Sequence, residues 1–240
     1  RLYTNPLYPI NSAFHYAVGN IAAEPEKVEP LATDAVVEEA DQDRELIVFV
    51  VGETARADHF SLNGYARDTN PRLREEGVVS FRNVSSCGTS TAHSVPCMFS
   101  IYPREDFSKD KANATENLLD VLQRAGVNVI WLDNNSSSKG VARRVPYLDF
   151  RTPEMNPVCD VECRDEGMLS YLRGYIDSHP VGDIFIVLHQ MGNHGPAYYK
   201  RYPKAFEHYT PVCTTNQLED CTPEQIRNSY DNALRYTDDF

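Results

Sequence analysis

The stretch Ser85-Ser86-Cys87-Gly88-Thr89-Ser90-Thr91-Ala92-His93-Ser94-Val95-Pro96-Cys97 sets small hydroxyl side chains around a glycine and leads into a helix-like segment. A hydroxyl at a helix start lies near unpaired backbone N–H groups and the positive end of the helix dipole, where phosphate binds well. A threonine hydroxyl is a weak nucleophile until a base or a metal activates it. The plain alternative is N-capping by Ser or Thr. Glu53 follows six apolar residues and a glycine (LIVFVVGE), where a carboxylate is poorly hydrated unless something pairs with it. It reads as a metal ligand, or as a cap or a partner of Arg56. Lys139, after three serines and before Gly140, reads as a phosphate-binding cation or as a solvated lysine. His194, in Gly192-Asn193-His194-Gly195-Pro196, reads as a functional or an ordinary loop histidine.

These candidates follow segments able to position them. LIVFVV (46–51) is a continuous, β-branched apolar run, as in a strand buried on both faces. ENLLDVLQRA (116–125) has helical periodicity and ends at Gly126, a natural C-cap. VNVIWL (127–132) reads as a strand, 164–178 as a helix, and DIFIVLH (183–189) as another buried strand. Thr222-Pro223-Glu224 reads as an N-cap, a proline in the first turn and an acid, opening a helix to the end. Alternating strands and helices predict a three-layer α/β/α sandwich with a mainly parallel sheet. In such sheets ligands gather beyond the carboxyl ends of the strands. Glu53, the Asn134-Asn135 to Lys139 segment and the His189 to Pro196 loop all lie there.

The composition narrows the class. The chain has 240 residues with a net charge of −12, and Ile21 to Glu45 contributes −7 of it. An acidic chain of this kind carries no electrostatic footprint for nucleic acid. Residues 1–20, rich in Tyr, Pro and Asn, read as an irregular segment and a short amphipathic helix, whose Tyr3, Tyr8, Phe14 and Tyr16 suit either a membrane surface or ordinary packing. Residues 21–45 read as an exposed acidic linker and 46–240 as the main domain. No apolar run approaches the ~20 residues of a membrane-spanning helix. Six cysteines fall into close pairs, and local spacing favours Cys87–Cys97, Cys159–Cys163 and Cys213–Cys221. Disulfides point to an oxidising compartment, and unpaired cysteines in a reducing one remain the alternative.

Several long motifs then carry a resemblance: VFVVGETARADHFSLNGYARDTNP, SCGTSTAHSVPCMFS, LDNNSSSKGV, ECRDEGML, LHQMGNHGPAYYKRYP and NSYDNALRYTDDF. In order and type they resemble the phosphoethanolamine–lipid A transferases of the alkaline phosphatase/sulfatase superfamily, the colistin-resistance enzymes among them. The resemblance covers about 46–240, and RLYTNPLYPINS resembles the segment joining that family's membrane domain to its catalytic domain. It implies that Glu53 is a zinc ligand and that Thr91 is both zinc ligand and nucleophile. It further implies that Asn135 and Lys139 contact phosphoethanolamine, that His194 serves the substrate phosphate or a second zinc, and that the three cysteine pairs are disulfides.

For function, the resemblance implies a zinc enzyme, with one metal ion or two, on the periplasmic face of the inner membrane. It implies a monomer anchored by an N-terminal membrane domain, with phosphatidylethanolamine as donor and lipid A as acceptor. The family's Ser-Asp-His-Gly-Glu motif, which completes the zinc site, is absent from the chain and is expected after Phe240. His189 could replace it on chemistry alone. These 240 residues by themselves are therefore expected to bind zinc weakly and not to turn over. Other expectations stay open: a hydrolase or transferase of the same superfamily with another acceptor, or a non-catalytic lipid-binding domain. A sulfatase would place a Cys or Ser in a C/S-x-P-x-R motif, and no Arg follows Pro96 at that spacing.

Overall fold

The structure, a computed structural model, describes residues 27–38 and 43–240. The expectations for 1–20, and for residues 21–26 and 39–42 of the acidic linker, lie outside the described residues. Four parallel strands form one sheet in the order β1-β4-β2-β3: β1 Leu46–Val51, β2 Asn128–Asp133, β3 Tyr147–Asp149 and β4 Ile184–His189. The register sets Val48 and Ile130 on either side of Ile186, and Val51 and Asp133 on either side of His189. The three longest strands thus end level, and their following loops leave from one edge. β3 escapes a reading of the sequence because three residues are too short for a periodic signal.

The helices are α1 Pro71–Glu75, α2 Thr91–Phe99, α3 Lys109–Ala114, α4 Leu118–Arg124, α5 Leu169–Ser178 and α6 Pro223–Asp239. α4 starts at a capping box in which the Asn117 side chain accepts from the Leu119 N–H and Asp120 returns the bond. Gly126 beyond its end has φ +97°, the left-handed conformation that suits glycine. The helix expected over 164–178 begins as a short 3-10 turn at Asp165–Met168 before α5. α6 has the expected Thr222 cap and Pro223 start.

Alternation along β2 and β4 divides the core. Val129, Trp131, Phe185 and Val187 face Val95, Phe99 and Leu119 of α2 and α4. Ile130, Leu132, Ile186 and Leu188 face Met168 and Tyr175. That is the three-layer sandwich. β1 departs from expectation: Val51 is buried, but Leu46, Ile47, Val48, Phe49 and Val50 are 36–49% exposed. Its apolar run suggests an interior strand, whereas among the described residues it is an edge paired only with β4, and these residues cover neither of its faces fully. Phe49 is the best sheltered of the five, between the rings of Phe99 and Phe185.

Candidate active site

Glu53 stands two residues beyond β1 and is buried, 8% exposed. Thr91, the first residue of α2, donates from Oγ1 to Glu53 Oε2 at 2.8 Å. Asn135, two residues beyond β2, donates from Nδ2 to the same oxygen at 3.2 Å and to the Gln190 carbonyl at 2.9 Å. Thr54 donates to the other oxygen, Oε1. No Lys, Arg or His pairs with this carboxylate among the described residues. Two strand-end loops and a helix start therefore meet at one carboxylate, and the β4 loop joins them through the Gln190 carbonyl on Asn135.

The remaining candidates stand apart from that contact. Lys139 Nζ lies on Ser136 Oγ, within its own loop. His194 is exposed, with Nδ1 on the Gly195 carbonyl at 2.9 Å. Neither makes a hydrogen bond to Glu53 or Thr91. His189 is fully buried with Nδ1 on Asp133 Oδ2 at 2.9 Å, and it makes no hydrogen bond to Glu53. All three cysteine pairs are disulfides: Cys87–Cys97, Cys159–Cys163 and Cys213–Cys221. The first ties the turn before Thr91 to α2.

A second tier of residues holds the loops, and most of it is invisible to sequence reading. Asp133 and His189 are register partners on β2 and β4. Asp133 accepts from His189, from Trp131 Nε1 at 2.8 Å and from the Asn135 N–H at 2.9 Å, so it fixes the turn that aims Asn135. A polar residue closing each of two buried apolar strands was the available signal. Asp165 is buried and accepts from Met191 N–H (2.7 Å), Gly192 N–H (2.9 Å) and Asn134 Nδ2 (2.8 Å). Burial pushes its pKa up, against the pull of those bonds. Gly192 has φ +47°, and a Cβ there would lie 3.0 Å from the Glu53 carbonyl oxygen. The Asn193 N–H donates to that carbonyl at 3.0 Å. From α6, the Tyr230 hydroxyl donates to the Thr54 carbonyl at 2.6 Å and accepts from the Arg56 N–H at 2.8 Å. Asp231 accepts from His59 Nδ1 (2.6 Å), Tyr65 (2.9 Å) and Arg67 (2.9 Å). No periodic pattern marks these contacts of α6, which join residues far apart in the chain.

Chemically, a buried carboxylate without a cation suits a metal ion, and a hydroxyl already on that carboxylate suits a nucleophile. Zinc takes roughly three to four protein ligands. Among the described residues no three His, Cys, Asp or Glu side chains gather as a metal site. Glu53 and Thr91 fit as part of a zinc site.

Comparison with known proteins agrees in kind. The sulfatase family model matches residues 45–240. The phosphatidylethanolamine transferase Mcr-2 of Escherichia coli is 46% identical over 257 residues, covering 100% of this chain and 47% of that protein. The soluble domain of lipooligosaccharide phosphoethanolamine transferase A from Neisseria meningitidis superposes with a TM-score of 0.83 at 42% identity, covering 90% of this chain and 65% of that one. The integral membrane form of that transferase gives 0.86 at 39% identity, covering 98% and 44%. The chain thus spans about half the length of these full-length relatives.

Proposed function

The chain belongs to the sulfatase family, and we propose that the full protein is a zinc-dependent transferase moving phosphoethanolamine from phosphatidylethanolamine to a lipid A phosphate. The observation that carries this is Thr91 Oγ1 at 2.8 Å from the buried Glu53 carboxylate, at the N-terminus of α2.

Thr91 Oγ attacks the donor phosphorus, and the bond from phosphorus to the diacylglycerol oxygen breaks. The hydroxyl proton has a way off through its hydrogen bond to Glu53. Diacylglycerol takes up a proton and leaves, and phosphoethanolamine remains on Thr91. A lipid A phosphate oxygen then attacks the same phosphorus, and the Thr91 oxygen departs. Unpaired N–H groups at the start of α2 favour the anionic group throughout. Asn135, Lys139 and His194 bind phosphoethanolamine: Asn135 from its place on Glu53, the other two by movement of their side chains toward the bound group. Zinc, held by Glu53 and Thr91 with further ligands from elsewhere in the full protein, would lower the hydroxyl pKa and offset charge on the transferring group.

Residues 46–240 act as the catalytic domain, 21–45 as a linker and 1–20 as a juxtamembrane segment. Three disulfides support a periplasmic setting. The integral membrane relative supports a membrane anchor; in our reading the anchor is N-terminal, the domain stands at the periplasmic face of the inner membrane, and the protein is a monomer. The added amine offsets negative charge on the outer leaflet, so polymyxin-type cationic peptides such as colistin bind less well. In the full-length protein, Thr91→Ala is expected to abolish transfer to lipid A with thermal stability held. Transfer at the wild-type rate would refute the reading.

A further inference from the structure

Beyond Glu53 the β1 loop runs on to Arg56 and His59, and beyond His194 the β4 loop runs on to Tyr198. Together with Ile226, Arg227 and Tyr230 of α6 they line a solvent-open cleft of about 310 Å³. Its wall is tied to the site, because the Tyr230 hydroxyl donates to the carbonyl of Thr54, next to Glu53, and accepts from the Arg56 N–H. The rings are ordered. Tyr198 meets Tyr230 edge-on with centroids 5.4 Å apart, and His59 meets Tyr230 edge-on at 4.9 Å.

Two groups in the cleft are left uncommitted. Arg56 is not one of them, being taken by Asp58 at 2.6 and 3.0 Å. The exposed Arg227 guanidinium makes no hydrogen bond or ion pair among the described residues. His59 Nδ1 is held by Asp231, and its Nε2 has no hydrogen bond among them. A planar guanidinium binds phosphate in a bidentate fashion. Tyrosine faces and Ile226 suit the apolar face of a sugar ring, with the Tyr198 hydroxyl at the wet end.

We propose that this cleft is the subsite for the phosphorylated sugar of the acceptor, with Arg227 on its phosphate and Tyr198 against the ring. The assignment rests on the proposed two-step transfer. In such a reaction donor and acceptor use one phosphoryl centre in turn, so the acceptor must be held beside Glu53 and Thr91. The donor headgroup has no sugar to fill the cleft.

The test uses the full-length protein in mixed micelles of phosphatidylethanolamine and lipid A, as wild type, Arg227→Ala and Arg227→Lys. Three quantities are read: the burst of diacylglycerol with donor alone, the KM for lipid A, and saturable binding of glucosamine 1-phosphate followed by NMR. Arg227→Ala is expected to raise the lipid A KM by about tenfold or more, to leave the donor burst unchanged and to abolish glucosamine 1-phosphate binding. Arg227→Lys recovers part of the loss. A lipid A KM within about twofold of wild type, or a donor burst that falls in step with transfer, overturns the assignment. If the wild type shows neither burst nor transfer, the proposed reaction fails and the titration alone decides. Saturable binding lost in Arg227→Ala then upholds the cleft as a sugar-phosphate site, and no binding to the wild type overturns it.

Discussion

Glu53 accepts hydrogen bonds from Thr54, Thr91 and Asn135, yet no cation faces it among the described residues. A carboxylate so placed is held for what it binds rather than for stability. Glu53→Gln keeps the shape and removes the charge. In metal-free full-length protein it is expected to hold or raise the thermal midpoint by calorimetry, and in protein prepared with zinc to abolish transfer and zinc content by elemental analysis. A lowered midpoint with zinc retained would mean that the carboxylate is structural. Asp133 behaves oppositely, because its donors, the Trp131 and His189 rings and the Asn135 N–H, belong to residues that are themselves fully buried and have no water to turn to. Asp133→Ala strands them and is expected to cost about 3 kcal/mol in denaturant unfolding. Glu53 and Thr91 can be picked from the sequence because an acid after an apolar run and a hydroxyl before a helix each break a local pattern. Their meeting at 2.8 Å is not legible there, since it depends on how β1 and α2 pack.

At the scale of elements, β1, β2 and β4 end level, so three loops leave one edge, and α6 clamps two of them through Tyr230 and Asn193. Strand and helix identities are readable because apolar runs and capping residues are local. The clamp is not, because Tyr230 reaches Thr54 across most of the chain. Gly192 shows how close the fit is: its φ of +47° and the 3.0 Å approach to the Glu53 carbonyl oxygen both disfavour a side chain. Gly192→Ala is expected to shift the His194 loop off the Glu53 backbone, costing about 1–3 kcal/mol in unfolding and most of the transfer activity. Unchanged kinetics with unchanged stability would show that the loop tolerates the displacement.

At the scale of the molecule, β1 is, among the described residues, an apolar edge strand exposed along five of its six residues. Unpaired apolar edges recruit other strands. The 240-residue chain produced alone is expected to associate, as seen by light scattering, and Val48→Lys to reduce that association without loss of secondary structure by circular dichroism. Equal scattering from both would place the contact elsewhere. Sequence alone assigns β1 to the interior because its composition is that of an interior strand, and composition cannot report which neighbours are present. The central claim for the whole protein is that Thr91 carries the transferred group. Its most direct measurement is intact-mass spectrometry with peptide mapping of the full-length protein after incubation with phosphatidylethanolamine and no acceptor. The account predicts a phosphoethanolamine adduct on the peptide containing Thr91, discharged when lipid A is added. No adduct in a protein that contains zinc, or an adduct on another residue, would contradict it.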